Sequence, residues 1–279
     1  MPDLLEEQVA ARPNARQEQS AGVRYAPRFG GRPTRMLRGV VGFALLVTVW
    51  EFVPRLGLVD RYFVPPLTEV LVAWWELTST GEIFKHLGAS LTRSGIGFAL
   101  AVALAVPTGA MIAWYRWFHD LLNPVLELFR NTAALALLPV FVLILGIGET
   151  SKVAIVTFAC FFPVLLNTIS GVRSVDPLLL KSARAFGLSP VATFRKVVIP
   201  AALPTIFTGI RIAGAAAILV LIAAEMIGAT AGLGYLINYS QFNFLVPQMY
   251  AGILTTSLVG LAINSGLVAL ERRLSSWRI

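Results

Sequence analysis

Long apolar runs broken by short polar ones dominate the chain. They fall near residues 36–53, 94–114, 121–145, 153–170, 205–227 and 249–270. Each is roughly 18–25 residues long, close to what a helix needs to cross a hydrocarbon core. Backbone groups in lipid find no water, so such segments fold as helices that satisfy their own hydrogen bonds. The pattern predicts an all-α membrane protein with six transmembrane helices. Between the first two spans, Phe63-Val64-Pro65-Pro66 reads as extended. Residues 67–78 then read as an interfacial amphipathic helix with Val70, Leu71, Trp74 and Trp75 on its apolar side. The glycine-rich stretches 146–152 and 228–234 read as turns after spans three and five.

One polar interruption carries ordered punctuation. Residues 172–204 read VRSVDPLLLKSARAFGLSPVATFRKVVIPAALP, a basic stretch between spans four and five. Asp176 suits a helix cap and Pro177 a first turn. Leu179, Ala183 and Phe186 recur on one face, and Gly187 supplies a stop. Ser189 and Pro190 repeat the start signal, and Pro200 is expected to end the second helix. Two short helices folded into one loop form either a docking surface or a pair lying in the headgroup region.

Composition and charge sharpen this picture. Hydrophobic residues make up 56% of the chain and charged ones only 14%, against about 25% in a soluble domain. The net charge of +8 is distributed by topology. Sixteen lysines and arginines fall in the N-terminal tail, at Arg116, in the central loop and at the C-terminus, against five at Arg55, Arg61, Lys85, Arg93 and Lys152. The positive-inside rule then places both termini and the central loop in the cytoplasm. It also accounts for the charge without a nucleic-acid site. The tail before the first span, rich in Arg, Ala, Pro and Gln, is expected to stay disordered. Glu51-Phe52-Val53-Pro54 offers no small-residue cleavage site, so the first span reads as an uncleaved anchor.

The chain shows no catalytic set. Its single cysteine, Cys160, permits neither an internal disulfide nor a cysteine-based metal site. His86 and His119 fall at opposite membrane faces. Residues 146–152, GIGETSK, lack the Gly-Lys-Ser/Thr ending that cradles phosphates. Uphill movement of a solute would draw its energy from another subunit or from an ion gradient. Four ionisable residues lie within spans, where charge is expensive and points to function. Glu127 and Arg130 share a helix face, and Arg211 and Glu225 lie in span five. Arg130 and Arg211 either line an anion path, or serve as a structural Glu127–Arg130 pair and a snorkelling arginine. Asn131, Thr132, Asn167, Thr168 and Ser170 line such a path or bond neighbouring helices. Gly209, Ala213, Gly214, Ala215, Ala216 and Ala217 mark span five as a helix–helix interface, within the chain or between subunits.

At 181–204 the residues resemble a known family. Lys181-Ser182-Ala183, then Gly187, then Val197-Val198-Ile199-Pro200 match the spacing of the EAA loop of ABC importer permeases. Lys181 stands where that loop has glutamate, and Ser182 where it has its first alanine. HLGASLTR from His86, LALLPVFVLILGIGETSK from Leu135, ARAFGLS from Ala183 and AALPTIFTGIR from Ala201 together resemble the aliphatic sulfonate and taurine branch, a close relative of nitrate and bicarbonate permeases.

The resemblance implies a type I ABC importer permease fold with cytoplasmic coupling helices, in a bacterial inner membrane. It implies a non-catalytic subunit that moves a small anionic solute of the alkanesulfonate or taurine type. Lys181, Ser182, Ala183, Arg184, Phe186, Gly187, Leu188 and Pro200 would form the ATPase-coupling loop. Two separate ATPase subunits would hold ATP and Mg, with no cofactor on this chain. An extracytoplasmic solute-binding protein and a second permease subunit, in a homodimer, complete the assembly. Arg130, Asn131, Asn167, Arg211 and Glu225 are the candidates for the translocation path. The expected organisation is a tail over 1–35, a first helix and outer segment over 36–84, the permease domain over 85–271 and a tail over 272–279. The alternative is a self-sufficient ion-coupled carrier. That class often shows inverted repeats, and Pro107, Pro139 and Pro163 do not fall in matching halves.

Overall fold

The computed structural model describes residues 32–130 and 132–274, and every regular element among them is helical. The expected disordered tail up to residue 31, Asn131 and the last residues from 275 lie outside the described residues. The chain divides into two compact units, one up to Trp50 and one from Glu51. The division falls inside the first helix, α1 (Arg32–Arg55).

The second unit begins with a cap. Glu51 accepts from both the backbone N–H and the hydroxyl of Thr68, each at 3.0 Å, so one carboxylate serves the N-terminus of α2 (Leu67–Ser79). This is the helix expected over 67–78, with a different inner face. Val70, Ala73 and Leu77 are buried, and the Trp74 indole donates to Thr255 at 3.1 Å. Leu71 and Trp75 point outward, because a spacing of three and four places them off the stripe through Val70, Ala73 and Leu77.

Three long helices form the centre: α3 (Glu82–Trp114), α6 (Glu149–Arg173) and α8 (Ile199–Glu225). Small residues allow their backbones to approach. Ala101, Ala105, Ala213 and Ala217 are buried with Val156, Cys160, Val164, Leu165 and Leu221. A Cβ at Gly209 would stand 2.5 Å from Asn167 Cβ and 3.0 Å from the Pro163 carbonyl. Gly209, Ala213, Gly214 and Ala217 of span five therefore pack inside the chain, whereas Ala215 is exposed. Lipid tails provide no hydrophobic drive between helices, so such close packing carries much of the association.

Among the described residues, four helical stretches are long and apolar enough to cross a membrane: Glu82–Trp114, Glu149–Arg173, the continuous run Pro190–Glu225 and Val246–Arg273. The last lies in α10 (Val246–Leu274). The expected third span is not one rod. It comprises α4 (Arg116–Arg130), a 3₁₀ turn Ala134–Leu137 and α5 (Leu138–Leu145). Ala133 is extended, and the segments on either side of the break turn by 88°. Pro139 suits the first turn of a new helix, not the interior of a continuing one. Residues 228–248, which carry no charge, hold a further helix, α9 (Leu233–Phe242).

Central packing yields a test. Gly209→Ala should lower the thermal stability of the membrane-embedded protein by about 1–3 kcal/mol, the usual range for overpacking. Gly88→Ala, where a Cβ meets nothing within 4 Å, should leave it unchanged. Parallel melting curves in lipid nanodiscs check the contrast.

Candidate functional site

The punctuated loop folds as its residues dictate. Asp176 accepts from the Leu178 N–H at 2.7 Å and starts α7 (Pro177–Ala185). Gly187, at φ 74°, ends it. Its N–H donates to the Arg184 carbonyl at 2.9 Å, and the Leu188 N–H donates to that of Ala183 at 3.1 Å. These two bonds make a Schellman stop. Ser189 then caps the turn Pro190–Thr193, accepting from the Ala192 N–H at 3.3 Å.

Pro200 does not end the second helix. The turn continues through a π-helical segment, Phe194–Val198, into α8, where Pro200 occupies the first turn. Proline cannot donate to the carbonyl four residues back. The chain widens instead, and the Ile199 N–H bonds the Phe194 carbonyl five back.

Of the coupling-loop residues, Ala183 is buried and Leu188 and Pro200 are half-buried. Lys181, Ser182, Arg184, Phe186 and Gly187 are exposed. Leu179 and Phe186 do not join Ala183 on an inner face. They project with Leu178 and Val191, and Phe186 is 84% exposed. The loop thus presents apolar side chains on a rigidly capped frame.

The path candidates are not brought together. Arg130 and Glu127 are exposed on α4. Arg211 pairs with Glu271 of α10 at 3.0 Å, so it holds two helices together. Asn167 donates to the Pro163 carbonyl at 2.8 Å, at the close approach of α6 to α8. Glu225 is removed from any open path, since its side chain is fully buried.

Glu225 instead belongs to a polar cluster at the far end of α6 from the loop. Arg93 Nη1 donates to Glu225 at 2.7 Å and to the Ala231 carbonyl. Its Nε and Nη2 donate to the two oxygens of Glu149, the latter at 2.6 Å. Ser90 donates to Glu225, and the Gly234 N–H donates to it at 3.0 Å. The Leu233 N–H donates to Ser90 at 2.9 Å, and that of Gly232 to His86 Nδ1 at 3.1 Å. Three successive N–H groups at the start of α9 are thereby capped by side chains from α3 and α8. Gly232, at φ 126°, must lack a Cβ, which would run into the Glu225 carboxylate. Lys152 donates to the carbonyls of Gly148 (3.0 Å) and Gly228 (3.4 Å), joining the two glycine-rich turns.

Arg93 and Lys152, expected in outer loops, are thus buried within helices, 5% and 3% exposed. A signal was present: His86, Ser90 and Arg93 recur at helical spacing on one face of an apolar segment. Counting Arg93 as a loop charge concealed it.

Comparison with known proteins follows the same lines. Residues 105–276 match the family described as binding-protein-dependent transport system inner membrane component. The chain is 34% identical over 246 residues to the aliphatic sulfonates transport permease protein SsuC of Bacillus subtilis, covering 87% of this chain and 88% of that one. It is 35% identical over 239 residues to the taurine transport system permease protein TauC of Escherichia coli, covering 84% and 87%. Among solved structures, inward-facing conformations of the MetNI methionine ABC transporter share its fold, with TM-score 0.58, 18% identity and coverage of 67% and 93%. Family and fold are those of an ABC importer permease and not of a self-sufficient carrier.

The two arms of Arg93 differ in burial, and so should their removal. Arg93→Ala leaves Glu225 buried without its cation and should destabilise by roughly 3–5 kcal/mol. Glu149→Ala removes a side chain that is 67% exposed, and should change stability by no more than about 1 kcal/mol. Thermal unfolding of both variants in one lipid composition makes the comparison.

Proposed function

The chain belongs to the family of inner membrane components of binding-protein-dependent transport systems, and on that premise we propose that it carries a small organic anion of the alkanesulfonate or taurine type into the cell. It acts as the permease subunit and hydrolyses nothing itself. Two ATPase subunits, which hold ATP and Mg, dock on residues 176–193 from the cytoplasm. An extracytoplasmic solute-binding protein delivers the solute at the opposite face, and two copies of this chain surround the path. Both termini lie in the cytoplasm, on the side with sixteen lysines and arginines.

The observation that carries this reading is the capped loop with its exposed Leu178, Leu179, Phe186 and Val191. A pair of helices held at fixed geometry by Asp176, Gly187 and Ser189 can transmit a push, and exposed apolar side chains can seat in a partner's groove. Lys181 and Arg184 are exposed on the same loop, so the surface also suits an acidic partner rim. Arg130, at the end of α4, remains a proposed path residue beside the break between α4 and α5, where backbone leaves the helical ladder and lines a path most readily; Asn131 is proposed with it from its place in the sequence.

Reconstitution tests this directly. Proteoliposomes holding the chain, the ATPase encoded with it and the matching binding protein should take up labelled taurine or ethanesulfonate only with ATP inside. Uptake driven by an ion gradient without ATP would refute the assignment. Phe186→Asp should leave the melting temperature unchanged, because the side chain touches little within the chain. It should weaken ATPase association by roughly 30-fold, the scale of losing an aromatic anchor. Co-purification against a concentration series measures it, and undiminished association would place the docking surface elsewhere.

A further inference from the structure

An open groove of about 750 Å³ lies between α3, α4, α5 and α6, bounded in part by Leu100, Phe129 and Phe141. Its wall is aromatic. Phe129 and Phe162 stack with ring centroids 5.6 Å apart. Phe158 lies 5.3 Å from Phe162 and 5.8 Å from Phe141. The other end is polar, formed by Glu149 and Thr150. Glu149 is the one charged residue of the lining, and its charge is already matched by Arg93 behind it.

The two edges of the Arg93 guanidinium are used differently. Nη1 is committed to Glu225 and the Ala231 carbonyl in a buried setting. The Nε/Nη2 edge holds both oxygens of Glu149, whose side chain is 67% exposed while that of Arg93 is 6% exposed. That edge is the one a bidentate oxyanion fits. An exposed carboxylate contributes little to stability and is easily exchanged. A preorganised, buried cation is worth more to an incoming anion than one in water, because its own desolvation is already complete.

We propose that this groove is a solute site in which the oxyanion of an organic sulfonate replaces Glu149 on Arg93, while an aromatic body extends along α6 toward Phe158. Glu149 is then the resident stand-in that keeps Arg93 paired when the site is empty. Offset ring contacts add to burial, so an aryl sulfonate is a sensitive probe of this wall. The assignment rests on reading the chain as a permease for an organic anion.

The test uses the full chain in nanodiscs with its ATPase, without nucleotide, and follows binding of 2-naphthalenesulfonate by its fluorescence. Glu149→Gln removes the competing charge and keeps the Arg93–Glu225 pair, so binding should tighten by about fivefold or more. Phe158→Ala should weaken binding in both backgrounds. Arg93→Lys, which keeps the charge but loses the fork, should weaken naphthalenesulfonate binding even where the protein melts normally. Unchanged affinity in Glu149→Gln would overturn the proposal. So would tetraethylammonium binding that Glu149→Gln abolishes, since a carboxylate facing aromatic rings would then be a cation site. These measurements need no turnover. Failure of ATP-driven uptake would count against the permease reading, and failure of the Glu149→Gln effect against this site.

Discussion

The buried contact between Arg93 and Glu225 joins parts of the chain that nothing local would bring together. The two residues are 132 positions apart, on α3 and α8. A charge in a membrane-spanning helix is tolerated only where a partner and further hydrogen bonds meet it. Here at least four of the five guanidinium N–H groups are used, and three groups donate to the carboxylate. Ser90 and the Gly234 N–H complete Glu225, and Glu149 and the Ala231 carbonyl complete Arg93. Because the carboxylate also caps α9, the pair sets where α9 begins and requires glycine at 232. Removing one partner would expose the desolvation of the other, so the whole turn depends on the contact being intact.

The helices that leave the capped loop are the ones that end at this cluster. α6 runs from Glu149, which holds Arg93, to Arg173, three residues before the Asp176 cap. α8 runs from the π turn beside the loop to Glu225. Between these ends, Gly209 and Ala213 bring the two helices into close contact, and Cys160 donates to the Ala213 carbonyl at 3.3 Å. Interiors packed at this spacing resist sliding and move as a body. The π turn is the exception, a place where the hydrogen-bond ladder is already altered. A permease driven at one face and open to solute at the other needs such a frame: stiff through the bilayer, with any adjustment near the loop.

Local signals were legible and long-range ones were not. Asp176, Pro177, Gly187 and Ser189 each act on their own neighbours, so their caps and stops could be read from adjacent residues. The helix over 67–78 was read within a residue of its end for the same reason, whereas its inner face depended on Thr255, far along the chain. The proline rule failed at Pro200, because α8 is anchored by tertiary packing and a widened turn absorbed the missing donor. The third span was read as continuous because hydropathy does not register an extended Ala133. The Arg93 cluster was missed because a charge count treats arginine as a number at a position, and its partners lie 56 and 132 residues away.

The same distinction governs how the intramembrane charges should be understood. From spacing alone, Glu127 and Arg130 form the obvious pair, three apart on one helix. The pairs that tie the fold together cross between helices instead: Arg93 to Glu225, and Arg211 to Glu271, the latter 60 positions apart. A pair within one helix stabilises that helix alone and says nothing about its neighbours. A pair between helices selects which helices are adjacent and fixes their register. In lipid this matters more than in water, since apolar surface gains little by being buried in one protein surface over another. Small residues let α3, α6 and α8 approach, but many small-residue faces could serve equally well. The buried ion pair distinguishes one arrangement from the rest, because each alternative leaves a charge in hydrocarbon without its partner.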